Sequence, residues 1–154
     1  MNRFLSSATN KVDSKGRVSV PAPFRAIIQA RGNGELYGQR ALDVPALNVA
    51  GPEQLEQWEK RLETADPFLQ ETDDLQFLVY GDGAVMKLDA DGRIMMTDFI
   101  RAHTGITDEV TFVGHGGYFR MWAPAAFEAW RDEARARLLK RRQGLAALPP
   151  GATE

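Results

Sequence analysis

The chain of 154 residues has no cysteine and only two histidines. Without cysteine there is no disulfide framework and no zinc ribbon, which fits a reducing compartment. The histidines, His103 and His115, are expected on a helix end and a hairpin loop, and no carboxylate pattern or metal-ligand spacing frames either. Gly114-His115-Gly116-Gly117 is too short and wrongly flanked for a phosphate loop. Catalysis, a cofactor and a metal therefore find no support. Long apolar runs are also missing. None approaches the roughly 18 residues of a membrane helix, and the N-terminal stretch through Thr9 lacks an apolar core of signal-peptide length. A soluble cytoplasmic protein is expected.

Charge of one sign is missing only on average. The net charge is −2, a weak argument against nucleic acid, yet residues 1–40 carry +5 and residues 41–75 carry −7. A basic head on an acidic middle can present a positive face on a neutral body, and the local field matters more to DNA than the total. Chance fluctuation explains the same numbers, so charge alone leaves both readings open.

Self-similarity is more informative. Asp13-Ser14-Lys15-Gly16-Arg17-Val18-Ser19-Val20-Pro21 reappears as Asp89-Ala90-Asp91-Gly92-Arg93-Ile94-Met95-Met96-Thr97, shifted by 76. Lys11-Val12 and Lys87-Leu88 precede the two copies, and Phe24-Arg25 aligns with Ile100-Arg101. At a shift of 72, the segment from Pro52 to Trp58 mirrors the one from Pro124 to Trp130. Two landmarks in the same order in both halves point to two copies of one small unit, and loops absorb the difference in spacing.

Each copy reads as a strand–turn–strand. In D-x-x-G, Asp bonds backbone two residues on and Gly tolerates positive φ. Arg17-Val18-Ser19-Val20 then alternates as a strand does. A short helix follows, entered at Pro23 and stopped by Gly32 in copy one, and capped by Thr97 or Asp98 and stopped by Gly105 in copy two. Further strands are expected from Leu42 to Val49, Glu109 to Val113 and Tyr118 to Trp122, with Gly114–Gly117 as a hairpin loop. Helices start at Pro52 and Pro124, where Leu55, Trp58 and Leu62, and Phe127, Trp130, Ala134 and Leu138, form apolar stripes expected in the core. Asp66 to Tyr80 is read as a helix, although Phe77 to Tyr80 also suits a strand. The tail from Gly144, with Pro149-Pro150-Gly151, is expected to be disordered.

These residues resemble the MraZ family of bacterial regulators over roughly residues 1–142. The marks are Asp13 to Arg17 with a strand and Pro21 after it, the degenerate copy Asp89 to Arg93, and Asp108 to Gly114 followed by Phe119-Arg120-Met121-Trp122. The resemblance implies an α+β fold: an AbrB-like swapped-hairpin β-barrel formed by two pseudo-repeats in one chain, with flanking helices. The divisions expected are a first repeat over 1–65, a connecting helix over 66–83, a second repeat over 84–142 and a tail over 143–154. It also implies a ring-shaped homo-oligomer that binds double-stranded DNA at promoter direct repeats of the division and cell-wall gene cluster, in the cytoplasm at the nucleoid. The family's D-x-x-x-R motif falls on Asp13 with Arg17 and on Asp89 with Arg93.

The copies differ where it matters to phosphate. Lys15 in the first turn is Asp91 in the second, so the first turn is the one a phosphate-facing surface would keep. Arg17 is the leading candidate for a base or phosphate contact, since a guanidinium bonds two acceptors at once. Its alternative is a salt bridge to Asp13, the reading favoured for Arg93 with Asp89. Lys15 on the turn apex is a phosphate candidate. Lys11, Arg3 and Arg25 are weaker ones, and the cluster Arg135 to Arg142 alternates with acids as a solvated face does. The competing function is a non-enzymatic interaction module, such as an antitoxin of related fold.

Overall fold

The computed structural model describes residues 2–146. The chain divides into two units, 1–124 and 125–154. The first is an α+β body. Its elements are β1 (Ser7–Lys11), β2 (Arg17–Ser19), α1 (Ala22–Arg31), β3 (Glu35–Arg40), β4 (Ala46–Ala50), α2 (Pro52–Glu63), α3 (Gln70–Gln76), β5 (Gly83–Lys87), β6 (Arg93–Met95), α4 (Asp98–Thr104), β7 (Glu109–Gly114) and β8 (Phe119–Trp122). The second is the helix α5 (Pro124–Ala146). On α5 the apolar Leu138 and Leu139 are exposed. Residues 143–146 of the expected tail continue α5, and residues 147–154 lie outside the described residues.

Six strands form one antiparallel sheet in the order β1-β7-β8-β4-β3-β5, and β2 pairs with β6 in a second, two-stranded sheet. The larger sheet is open, with β1 and β5 at its edges. It reads alike from both ends. β1 and β5 are offset by 76 residues, as are β2 and β6 and the starts of α1 and α4. The two halves of the chain are interleaved, because β1 pairs with β7, β5 with β3, β4 with β8 and β2 with β6. Among the described strands only β3–β4 and β7–β8 pair within a half, apart from an isolated Val12–Val18 bridge.

The core lies under this interleaving. Val18 and Ile94 face each other in the β2–β6 register and are both buried, while their neighbours Arg17, Ser19, Arg93 and Met95 point the other way, as the period of two requires. Phe4, Phe24 and Phe119 form an aromatic cluster with centroids 5.1–5.3 Å apart. Phe24, Ile27 and Ile28, spaced i, i+3, i+4, are the buried stripe of α1. The Thr97 hydroxyl accepts from the Ile100 amide to cap α4, and Gly105 closes the helix in the left-handed region at φ 73°.

Three expectations need correction. The first half carries two strands where one, Leu42 to Val49, was expected: β3 precedes a turn in which Leu42 is 80 % exposed, and β4 follows. Gly38-Gln39-Arg40 hides β3 because it breaks the apolar alternation. Yet a Cβ at Gly38 would lie 2.5 Å from Met86 Sδ and 2.9 Å from Leu47 Cδ2, so any larger residue would have to displace these two buried side chains. Gln39 is buried but satisfied: its amide donates to the Leu78 carbonyl and accepts from Asn48, whose own oxygen accepts from Arg120. Second, the tryptophan stripes are not core. No residue of α2 is buried, and Trp58 is half-buried, edge-on to Tyr118 at 5.5 Å; Trp130 is half-buried as well. Third, Phe77 to Tyr80 is neither strand nor α-helix. α3 ends at Gln76 and a single π-helical turn, Phe77–Gly81, leads into β5.

Candidate nucleic-acid interface

The D-x-x-G-R spacing has one physical cause in both copies. In the first turn the Asp13 carboxylate oxygen Oδ1 accepts from the backbone N–H of Lys15 and of Arg17, each at 2.9 Å. Gly16 sits at φ 82°, and its N–H donates to the Asp13 carbonyl at 3.0 Å. In the second, Asp89 Oδ1 accepts from the N–H of Asp91 and Arg93, again at 2.9 Å each, and Gly92 sits at φ 77°. Asp is needed to satisfy two amides, and Gly to enter the left-handed region without the roughly 1–2 kcal/mol that a side chain costs there. These amides hold the Asp13 and Asp89 carboxyls below their ordinary value of 3.8, the N–H of Arg17 and of Arg93 being the largest cause.

The two turns lie side by side. The Val20 N–H donates to the Gly92 carbonyl at 3.0 Å, and the Met96 N–H donates to the Gly16 carbonyl at 2.7 Å. Each turn is thus latched by the chain that leaves the other. This brings Arg17 and Arg93 onto one face, an adjacency that no local spacing reveals because the residues are so far apart in the chain.

The two arginines are held differently. Arg93 is surrounded by three carboxylates: Asp91 at 2.8 Å, Asp89 at 3.5 Å and Asp13 at 3.5 Å. Arg17 forms one ion pair, with Asp13 through Nε at 3.1 Å, and its charge also reaches Asp89 of the second turn. Its two terminal nitrogens have no partner among the described residues. The Asp13 salt bridge therefore forms, and it leaves both amino groups of the Arg17 fork available. Lys15 is exposed at the apex, and its ammonium has no partner among the described residues.

The other candidates are placed less favourably. Lys11 ends β1 next to the first turn, exposed and opposite Glu109. Arg3 is not brought to the turns. Its neighbour Phe4 bridges Gly116, so Arg3 lies beyond the far end of β1, at the β7–β8 hairpin. Arg25, a weaker candidate on sequence, stands closer than Arg3. It packs over the second turn, where a Cβ on Gly92 would collide with its Cδ and approach its Nη1 to 2.9 Å. The signal for it is the alignment of Phe24-Arg25 with Ile100-Arg101.

Neither histidine joins this face. His103 Nε2 lies 3.1 Å from the Val44 carbonyl. His115 stacks on Tyr118, and burial, helped by the charge of Arg120, pushes it down to about 4. Among the described residues no group of three His, Asp or Glu side chains could hold a metal, and no helix is long and apolar enough to cross a membrane.

Comparison with known proteins gives a consistent picture. The pattern of the family described as "MraZ protein, putative antitoxin-like" matches residues 81–144. A protein of Rhizobium leguminosarum bv. trifolii (strain WSM2304) named "Transcriptional regulator MraZ" is 50% identical over 135 residues, which span 88% of this chain and 93% of its own. Proteins of the same name from Rhizobium meliloti (strain 1021) and Methylocella silvestris are 48% and 40% identical. They span 94% and 96% of this chain, and 98% and 90% of their own length.

Proposed function

This chain belongs to the MraZ family, and from that premise we propose that it is a sequence-specific DNA-binding transcriptional regulator that meets DNA with its paired turns. The observation that carries this is the latched pair of D-x-x-G-R turns, with Lys15 exposed at the apex and the two amino groups of Arg17 without a hydrogen-bond or ion-pair partner among the described residues. A rigid turn that presents a planar fork suits the acceptor pair of a guanine edge or of a phosphate. Arg93, enclosed by three carboxylates, holds the latch.

In this proposal the two sheets together make an AbrB-like swapped-hairpin barrel from two pseudo-repeats. Residues 1–65 supply the principal DNA-contacting turn, 66–83 connect, and 84–142 complete the fold. The chain assembles into a homo-oligomeric ring and binds short direct repeats upstream of the division and cell-wall gene cluster, in the cytoplasm at the nucleoid. It needs no cofactor and catalyses no reaction. The open edges β1 and β5 and the exposed Leu138 and Leu139 support assembly, since such surfaces invite pairing with further copies.

The test is a salt titration of binding to operator and scrambled duplexes, with light scattering alongside. Lys15→Ala should flatten the log–log salt slope by about 0.9 for each phosphate it no longer neutralises. Arg17→Ala should weaken operator binding, by about 1–3 kcal/mol of discrimination if it reads a base. Both should leave assembly size and melting temperature unchanged. Normal operator binding by both variants would remove the turns as the reading surface, and a stable monomer would remove the ring. The antitoxin-like description of the family supports a second reading, an interaction module of the same fold. Retention on neither heparin nor operator DNA would favour it.

A further inference from the structure

We infer that Arg25 is a phosphate-contacting residue of the second turn, standing in for the lysine that position 91 lacks. This rests on the paired turns being the DNA surface. The symmetry of the fold is what isolates Arg25. It and Arg101 occupy equivalent places, each on the short helix after its own turn and each packed over the glycine of the other turn, Arg25 on Gly92 and Arg101 beside Gly16. Equivalent places carry unequal bonding. Arg101 donates to three backbone carbonyls: Thr107 at 2.9 Å, Ile106 at 3.4 Å and Met96 at 3.5 Å. The Arg25 guanidinium makes no hydrogen bond and no ion pair among the described residues.

Helix length explains the difference. α4 ends at Thr104, so the chain turns back at once and its carbonyls at 106 and 107 reach Arg101. α1 runs on to Arg31, three residues longer. At 1.5 Å per residue the returning chain leaves about 4.5 Å farther along the axis, and Arg25 has no carbonyls to grip. Its side chain lies along the second turn, with Cδ, Nε and Nη1 all close to Gly92, and is partly exposed.

The surroundings suit an anion. Arg25 lines a shallow cleft of about 290 Å³ with Ala22, Gln29, Asp91 and Gly92. Alanine and glycine on its walls leave room for close approach. Asp91 repels a phosphate, and its ion pair with Arg93 at 2.8 Å offsets that charge in part, since Arg93 also serves Asp89 and Asp13. The positive charge on the cleft without a counter-ion is that of Arg25. Lys15 serves the first turn while Arg101 braces it. In the second turn the acid braces Arg93, and the helix arginine takes the phosphate-facing role.

The test uses the full chain and salt titrations on operator and scrambled duplexes. Arg25→Met keeps the packing on Gly92 and removes the charge. It should lower the slope by about one unit per engaged subunit, equally on both duplexes. Between 50 and 200 mM salt that is about a 3.5-fold change relative to the parent per contact. Melting temperature and assembly size should hold. Arg25→Lys should retain the slope, and Asp91→Lys placed in the Arg25→Met protein should restore it. An unchanged slope for Arg25→Met, with Lys15→Ala flattened, would overturn the assignment of Arg25 alone. An unchanged slope for both would overturn the DNA surface itself. Failure of Asp91→Lys to restore the slope would overturn the substitution of one cation for the other.

Discussion

Severing the chain between its halves should destroy the fold of each. Residues 1–81 contain β1 to β4, yet within that fragment only β3 and β4 pair along their length, with a single Val12–Val18 bridge across the first turn besides. β1 is deprived of β7, β2 of β6, β3 of β5 and β4 of β8. A lone hairpin is marginal in water. Nine of the core side chains belong to this half: Phe4, Val18, Val20, Phe24, Ile27, Ile28, Leu36, Leu47 and Val49. Full burial of such side chains contributes about 1.5–3 kcal/mol each. If the cut returns half of that burial to water, the loss is roughly 7–13 kcal/mol, on the order of the entire stability of a domain. The fragment should show collapsed amide dispersion and no cooperative urea transition. Mixing it with residues 82–154 should restore both. A monomeric 1–81 fragment with dispersed amides and a cooperative transition would refute the argument, because it would mean that the first half contains a core the strand pairing does not predict.

Two further outcomes follow from particular contacts. Gly114→Ala would push a Cβ into the backbone carbonyl of Phe4 and to 2.6 Å from the Leu5 amide, neither of which can move without breaking the Phe4–Gly116 bridge. Expulsion of the Phe4 ring from its aromatic cluster should then cost about 3–5 kcal/mol in urea denaturation, and a loss under about 1 kcal/mol would show that the N-terminal segment is not so fixed. His115, pushed from 6.5 down to about 4 in the fold, binds its proton more readily when unfolded, so stability should fall as pH drops from 6.5 to 4 and level below that. His115→Gln should remove this part of the pH slope, and a parent protein with flat urea midpoints across the window would contradict the desolvation of that ring.

How much of this is legible in the sequence depends on whether a feature is local. The D-x-x-G-R turns can be read because Asp and Gly answer to backbone amides and a positive φ within five residues. The helix starts at Pro52 and Pro124, and the cap at Thr97 with its stop at Gly105, are legible for the same reason. β3 is not, since Gly38 is selected by Met86 and Leu47 from elsewhere in the sheet and leaves no alternation behind. The half-exposed Trp58 misleads because an amphipathic stripe says only that a face will be covered, not whether the same chain covers it. At the candidate interface, Arg17 and Lys15 stand out from the turn itself. Arg3 is overrated by charge alone, and the enclosure of Arg93 by Asp13 is invisible because it depends on β2 pairing with β6.

The scaffold also separates what it demands from what it leaves open. Both turns must keep Asp for two amides, Gly for the left-handed backbone, and a strand-forming residue that points inward, which is Val18 in one and Ile94 in the other. Those demands are met alike in the two halves. The apex position is under no such backbone demand, because Lys15 and Asp91 bond their turns through the main-chain N–H, which any side chain but proline leaves in place; the Asp91 carboxylate adds an ion pair with Arg93. It is there that the halves differ in charge. The same holds one layer out, where helix length frees Arg25 but ties down Arg101. A duplicated frame that is symmetric in backbone and asymmetric in charge can lay a near-two-fold turn pair on DNA while presenting different contacts at its two ends. In the proposed function this favours asymmetric direct repeats over palindromic half-sites, since a palindrome would ask the two turns of one chain for equal contacts that Lys15 and Asp91 do not make.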